Sequence, residues 1–200
     1  MKMTDTEAIL DFWFGPLLET GLPDADHSRL WFGKDARVDA HIRARFQSLV
    51  LAEGQLPVLK TDDAHMALAR VVLLDQFPRN IWRGQAQAFA FDPQALAQAL
   101  DALDRGLDRQ LPEVARAFIY LPLEHAEDLE LQKRCVGLFR AMAEQAPEKL
   151  KAACASYLDY AERHRDIIAR FGRFPHRNAI LGRASTPEEE EFLKQPNSGF

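Results

Sequence analysis

The sequence predicts a single all-α domain over residues 1–200. Three observations indicate this fold class. Apolar residues recur at intervals of three and four along nearly the whole chain, as they do on the buried face of a helix. No segment shows the sustained alternation of polar and apolar residues that a half-buried strand requires. Short connections separate the amphipathic stretches, which predicts that neighbouring helices run antiparallel.

The first predicted helix begins at a capping-box pattern, in which Thr4 is followed three residues later by Glu7. This helix extends to about Phe14, where a Gly-Pro step ends it. Residues 16–28 are predicted to be a loop, because glycine, proline and acidic turn-forming residues cluster there.

Two longer helices are predicted next. The first begins at Asp35 and ends at Gly54, which suits the glycine position that follows a helix. The second begins at Thr61 and is apolar around most of its circumference, so it is expected to lie at the centre of the fold. Pro78 is expected to end this helix, because proline lacks the N–H group that the helical ladder needs.

Prolines delimit the helices that follow. Asp92 is predicted to cap a helix that has Pro93 at its first position. Pro112 begins the next helix, which Pro122 is expected to break or kink. The apolar stripes of this half contain Leu96, Leu100, Leu103 and Leu107, then Leu129, Val136, Phe139 and Met142, then Leu150, Cys154, Tyr157, Ala161, Ile168 and Phe171.

The last two helices have clear boundaries in the sequence. Pro147 opens the long helix that Gly172 closes. Thr186 and Glu189 then form a second capping box, with a proline at the first helical position between them. A short acidic helix is predicted from there.

The composition limits the classes of function. Hydrophobic residues make up 47% of the chain, which is typical of a globular protein, and the formal net charge of −5 disfavours a general nucleic-acid binder. There is no apolar stretch of about 18 residues that would span a membrane and no signal-peptide pattern, so a cytoplasmic location is expected. Cys135 and Cys154 lack metal-like spacing, and the common cofactor-binding motifs are absent, so no cofactor is expected.

Two nearly identical loops are the most informative feature of the sequence. FPRNIWRG occupies residues 77–84, and FPHRNAILG occupies residues 174–182. One interpretation is architectural. Each loop would be a turn that begins at its proline, and Asn80 or Asn178 would cap a short helix that follows.

The second interpretation of the loops is a ligand site. Arg79 and Arg177 would face one cleft and bind an anion, beside His176 and the two loop asparagines, because the planar guanidinium suits carboxylate and phosphate. Asp75 lies on an apolar face of the central helix and needs a cationic partner, for which Arg79, Arg177 and Arg173 are the candidates. An ion pair of Asp75 would join the two halves of the fold without a ligand, so both interpretations stay open.

Two histidines are candidates for a general base. His164 lies on an apolar helical stripe, so it is either a buried core residue or a ligand contact. His125 follows the proline-containing helix, with Glu124 and Asp128 nearby, and it can face the interior as well. A metal site would need at least three such ligands to converge from two helices. No diagnostic spacing is present, so no metal is expected.

Five motifs in order carry a resemblance to a known family. They are ILDFWFG, WFGKD followed by IRARF, LLDQFPRN, YLPLEHAED and HRDIIARFGRFPHRN. They resemble the bacterial family known as domain of unknown function 924, over about residues 9–192. The resemblance implies an all-α fold like that of tetratricopeptide-repeat proteins, a compact stack of antiparallel helical hairpins. It implies no reaction, so it identifies no catalytic residue.

Three functions follow from these observations. The favoured one is binding of a small anion or a peptide carboxylate in a concave polar groove. The second is a hydrolase- or lyase-like enzyme in which His125 or His164 is the general base, with Glu124 as a further candidate. The third is a structural protein-interaction module. Four aromatic residues are expected to wall the groove: Trp13, Phe14, Trp31 and Trp82.

Overall fold

The chain is all-α in the computed structural model, which describes residues 1–196, 198 and 199. The predicted fold class is therefore confirmed, whereas the stacking of hairpins as in tetratricopeptide repeats stays a prediction. The described residues form α1 (Met3–Phe14), α2 (Leu17–Thr20), α3 (Ala25–Phe32), α4 (Ala36–Glu53), α5 (Ala64–Ile81), α6 (Asp92–Asp104), α7 (Glu113–Glu124), α8 (Leu129–Gln145), α9 (Lys151–Phe171) and α10 (Pro187–Leu193). Short 3₁₀ helices occupy Ala86–Phe89, Leu107–Gln110, Glu148–Leu150 and Pro175–Arg177.

The N-terminal region is more helical than predicted. Lys2 is the N-cap residue of α1, so Thr4 lies inside the helix and does not cap it. The Asp5 carboxylate instead accepts a hydrogen bond from the Lys2 backbone N–H at 3.0 Å. Residues 16–28, predicted as a loop, contain α2 and the start of α3. Asp24 caps α3 by accepting hydrogen bonds from two backbone N–H groups of its first turn.

The central helix continues through its proline. The sequence predicted that Pro78 would end this helix and leave Arg79 and Asn80 in a turn, but α5 extends to Ile81. A proline in a helix interior costs roughly 3 kcal/mol. Because α5 is buried along nearly its whole length against α1, α4, α6 and α7, its packing outweighs this cost. In the same way, Pro122 lies inside α7 without breaking it.

Several predicted helix boundaries are confirmed. Asp35 caps α4 through the backbone N–H of Arg37, and Gly172 follows α9 in the left-handed conformation. At the start of α10, the Thr186 hydroxyl accepts from the Glu189 N–H, and the Glu189 carboxylate accepts from the Thr186 N–H. Local sequence determines these ends, because each cap is made by residues within one turn of the helix.

Close packing explains two further departures from prediction. Gly54 has a φ of −66° and is not left-handed, but a Cβ atom there would clash with the Phe91 ring. Glycine is therefore required at this position for its small size and not for its backbone conformation. In α6 the leucine stripe is mostly half-buried, and the face that packs inward consists mainly of small residues: Ala95, Ala99 and Ala102. Alanines let α6 approach α5 closely.

The aromatic residues that were expected to wall a polar groove belong to the hydrophobic core. Trp13, Phe14 and Trp82 are buried. The rings of Phe14 and Trp31 each lie with their centroids 5.1 Å from that of Phe118. The Trp31 indole N–H donates to the backbone carbonyl of Trp13 at 2.7 Å. Trp13, Phe14 and Trp31 therefore stabilise the contact of α1 and α3 with α7, while Trp82 packs on Phe91. The expectation of an aromatic groove wall was wrong.

A second group of helices completes the fold. α8 packs against α7 and α9, and α7 also contacts α9 and the central α5. This arrangement places the C-terminal end of α7 between α5 and α9, which is where the candidate site lies. Among the described helices, none combines the length and the apolar character that crossing a bilayer would require.

Candidate functional site

Five charged or ionisable residues meet beside the C-terminal end of α7. We call them the polar cluster: Asp75, Arg79, Asp92, His125 and Arg177. α5 supplies Asp75 and Arg79 from successive turns, α6 supplies Asp92 from its first turn, and the Pro175–Arg177 turn supplies Arg177. The repeated loops are thus brought together in space. Both arginines lie beside one carboxylate, with Nη1 of Arg79 2.9 Å and Nη1 of Arg177 3.7 Å from Asp92.

Asp75 and His125 form the most buried contact of the cluster. Oδ1 of Asp75 lies 2.8 Å from Nδ1 of His125, and the Asp75 side chain is only 1% exposed. The His125 side chain is 15% exposed, so its ring connects the buried carboxylate with the surface. The Nε2 atom of His125 makes no hydrogen bond to any residue that the structure describes.

Asp75 remains ionised despite its burial. Burial alone would raise the pKa of Asp75, but the charge of Arg79 and the contact with His125 outweigh it and hold the pKa well below its usual range. Nη1 of Arg79 lies 3.4 Å from Oδ1, and the Gln76 amide donates to Oδ2. Burial and then the charge of Arg79 lower the pKa of His125. The pair is therefore a carboxylate and a neutral imidazole at neutral pH.

Arg79 is fully paired. Its Nη1 and Nη2 atoms donate to the two oxygens of Asp92 at 2.9 and 3.1 Å, which is a bidentate contact. Nη1 also donates to the backbone carbonyl of Asp75. Burial opposes the charge of Arg79, but the two carboxylates outweigh it and raise the pKa. Arg79 thus ties the end of α5 to the start of α6.

Arg177 is far less well paired, although its side chain is only 8% exposed. Nη1 donates to the backbone carbonyl of His125 at 3.0 Å. The guanidinium carbon lies 4.8 and 4.5 Å from the ring centroids of Phe89 and Phe174. Nε is buried and has no hydrogen-bond partner among the described residues. Burial, and then the like charge of Arg79, lower the pKa of Arg177 to about 10.

Glu124 and His164 form a second contact behind the polar cluster. Nδ1 of His164 lies 2.8 Å from the Tyr160 carbonyl and 3.3 Å from Oε1 of Glu124. Burial, and then the charge of Asp75, raise the pKa of Glu124 to about 8, and burial lowers the pKa of His164 to about 3. The distance between the two side chains would permit an ion pair. Because both are buried, however, the neutral form of each is favoured, and both groups are neutral near pH 7.

The two loop asparagines do not join the polar cluster. Asn80 faces the other side of α5, where its amide donates to Asp39 at 2.9 Å. Asn178 is buried, and it donates to Ser185 and to Glu189 of α10. Neither residue caps a following helix, because Asn80 lies within α5 and Asn178 ends the Pro175–Arg177 turn. Each loop therefore directs its arginine and its asparagine to different parts of the fold.

His176 and Asp128 lie at the margin of the site. The His176 ring centroid is 5.6 Å from that of Phe174, and burial, followed by the charge of Arg177, lowers the pKa of His176 to about 4. Asp128 caps α8 through the backbone N–H groups of Glu130 and Leu131. Among the described residues, no three His, Cys, Asp or Glu side chains are grouped so that they could hold a metal ion.

Sequence reasoning missed two members of the site. Asp92 was interpreted only as a helix cap, yet Phe91 takes the N-cap position and the Asp92 carboxylate binds Arg79, 13 residues away in sequence. Phe89 was not considered, although its ring contacts both arginines. Local pattern contains no signal for either role, because the partners of both residues come from other elements.

The cluster reaches solvent at its edge. The exposed edge consists of parts of Arg79, Asp92 and His125, whose side chains are 20%, 22% and 15% exposed. Two surface depressions of about 490 and 480 Å³ lie elsewhere, one lined by α1 and α4 and the other by α3 and α4. An occupant would therefore meet the cluster at this edge.

Comparisons with known proteins agree with the fold. Residues 9–197 match the sequence model of a family described as bacterial protein of unknown function (DUF924). A solved structure, that of the protein of unknown function ATU0120 from Agrobacterium tumefaciens, is similar to this chain with a TM-score of 0.77 and 38% sequence identity. The similarity covers 97% of this chain and 99% of that chain. Among curated proteins, none matches this chain.

Proposed function

The chain belongs to the bacterial family of unknown function DUF924, and from the geometry of its polar cluster we propose that it binds a small anion through Arg177. The anionic group is a carboxylate or a phosphate, on a small molecule or at the end of a peptide. The incomplete pairing of Arg177 in a buried position carries this proposal.

The two arginines of the cluster differ in a way that supports this role. Arg79 is satisfied by Asp75 and Asp92, and its charge is stabilised where it lies. Arg177 donates to a neutral carbonyl, and its distance to Asp92 is 3.7 Å, too long for a hydrogen bond. Asp92 is therefore only a distant counter-charge for Arg177, and Arg79 shares it. An incompletely paired buried cation is unfavourable, so an anion that pairs with Arg177 gains more free energy than one at an exposed arginine.

The geometry also favours a carboxylate or phosphate over a monatomic ion. A guanidinium presents parallel N–H groups that match two oxygens of one anionic group. The faces of the Arg177 guanidinium contact the rings of Phe89 and Phe174, so its edge is the part that is available for hydrogen bonds. The side chains at the exposed edge of the cluster are only 15–22% exposed, which favours a small anionic group.

A thermal-shift titration tests this proposal. We expect the melting temperature to rise with phosphate, sulfate or succinate when sodium chloride keeps the ionic strength fixed. At a hundredfold excess over Kd, binding stabilises the native state by about 2.7 kcal/mol. For a chain of 200 residues, this corresponds to a rise of roughly 5–10 °C.

The variant Arg177→Gln is expected to abolish this rise. Arg140→Gln is the matched control, because it removes the same charge from an exposed ion pair with Glu162 and leaves the cluster intact. If the folded Arg177→Gln protein responds to every anion as the parent does, the proposal is wrong. The cluster would then be a structural clasp between α5, α6 and α7.

One observation supports a second candidate function, that of a hydrolase- or lyase-like enzyme. A buried carboxylate that orients a neutral imidazole is the arrangement of a general base, and Asp75 and His125 are so arranged. His164 suits this role poorly, because its side chain is only 5% exposed and its pKa is lowered to about 3. Release of 4-nitrophenol from 4-nitrophenyl acetate, lost in His125→Ala and kept in His164→Ala, would indicate such an activity.

A further inference from the structure

The contact with Asp75 determines which nitrogen of His125 carries a proton. An ionised carboxylate has only acceptor atoms, so the Nδ1 atom at 2.8 Å must be the donor. Arg79 at 3.4 Å and the Gln76 amide both favour the ionised form of Asp75. A neutral His125 therefore has its lone pair on Nε2, and this atom accepts hydrogen bonds instead of donating them.

The polar cluster consequently offers two different groups to one occupant. Arg177 offers N–H donors that require an anionic oxygen, and His125 offers an Nε2 acceptor that requires an O–H or N–H donor. The two residues are adjacent, because Nη1 of Arg177 donates to the backbone carbonyl of His125 at 3.0 Å. A simple carboxylate satisfies only the first of these groups. An anion with a hydroxyl beside its charge satisfies both.

We infer that the ligand of the polar cluster is a hydroxy acid, whose anionic group binds Arg177 and whose hydroxyl donates a hydrogen bond to Nε2 of His125. This inference rests on the proposed anion site, and it names the class of ligand and the residue that selects it. Asp75 is the positioning residue, since it acts on the ligand only by fixing the tautomer of His125.

Other groups near the cluster do not replace His125 in this role. The Asp92 oxygens are acceptors too, and each receives one hydrogen bond from Arg79, but Asp92 is itself an anion and repels the anionic group of the same ligand. The Glu124 side chain is 6% exposed and lies behind His125, in contact with His164. His125 is the more exposed of the two histidines and the one that the buried carboxylate orients.

Binding of matched acids to the intact protein tests this inference. Calorimetry would compare lactate and 3-hydroxypropionate with propionate, which has the same charge and carbon number but no hydroxyl, and phosphate serves as a reference anion. We expect at least one hydroxy acid to bind roughly fivefold more tightly than propionate, because one hydrogen bond has about this effect. In Asp75→Asn the side chain can donate to Nδ1 as well as accept from it, so Nε2 is no longer held as an acceptor and the preference should weaken, while binding of propionate persists.

A measurement without any variant or ligand tests the same point. The ¹⁵N shifts of the His125 ring at pH 7 should show a protonated Nδ1 and an unprotonated Nε2. The opposite tautomer would overturn the inference. So would equal affinities for the hydroxy acids and propionate, or binding of phosphate alone, although in both cases the anion site itself would stand. If none of these anions binds, the proposed function fails, and the inference fails with it.

Discussion

The ionisation of Glu124 gives the sharpest prediction, because it makes the stability of the protein depend on pH above neutrality. The folded-state pKa of Glu124 is about 8, whereas the value in an unfolded chain is 4.5. Between these values the folded chain holds a proton that the unfolded chain has lost. Its contribution to stability is complete below pH 4.5 and falls as the pH rises towards 8.

The useful window lies between pH 6.5 and 8. Around pH 6.5, His125, His164 and His176 act in the opposite direction, because their folded-state pKa values are lowered and the unfolded chain binds more protons there. An unfolded histidine is still half protonated at pH 6.5, so this opposing contribution fades only as the pH rises towards 8, and it cancels when the parent is compared with a variant of Glu124. Through Glu124 alone, the free energy of unfolding falls by about 1.6 kcal/mol between pH 6.5 and 8, because the slope of about 1.4 kcal/mol per pH unit declines as the pH approaches the folded-state pKa.

Urea denaturation at pH 6.5, 7.2 and 8 would measure this loss. Glu124→Gln is the matched variant, because glutamine resembles the protonated acid in size and stays neutral. Because glutamine has no proton to lose on unfolding, this variant should be roughly 2–3 kcal/mol more stable than the parent at pH 6.5, and the difference should grow by about 1.6 kcal/mol by pH 8. A difference between the two proteins that does not change with pH would refute the assignment of a buried, neutral Glu124.

Two further predictions concern the charged residues of the polar cluster. Asp75→Ala should lower the free energy of unfolding by roughly 2–4 kcal/mol, because it leaves the buried Arg79 with only one carboxylate. A loss below about 0.5 kcal/mol in urea denaturation would mean that the contact between Asp75 and Arg79 does not stabilise the fold. Without added anions, Arg79→Gln should be at least about 1 kcal/mol more destabilising than Arg177→Gln, since Arg79 pairs closely with two carboxylates, whereas Arg177 donates to a carbonyl and lies 3.7 Å from one carboxylate. Equal losses in the same assay would show that the two arginines are equivalent.

The all-α class and several helix boundaries could be predicted from the sequence. Apolar periodicity is a property of neighbouring turns, and caps such as Asp35 and Thr186 bond to backbone groups within their own first turn. Repetition of the Phe-Pro loops also identified Arg79 and Arg177 as residues to compare. Asp75 attracted attention because an acidic side chain on an apolar face needs a partner.

Which side chains pair with one another became clear only from the tertiary structure. Pro78 predicts a helix end from local chemistry, but the burial of α5 on several sides outweighs the lost hydrogen bond. Asp92 looks like a cap in sequence, and it becomes the counter-ion of Arg79 because α5 and α6 pack together. The two arginines from the matching loops differ in their pairing for the same physical reason. The charges around each guanidinium and its exposure to solvent are determined by elements that are distant from it in the chain.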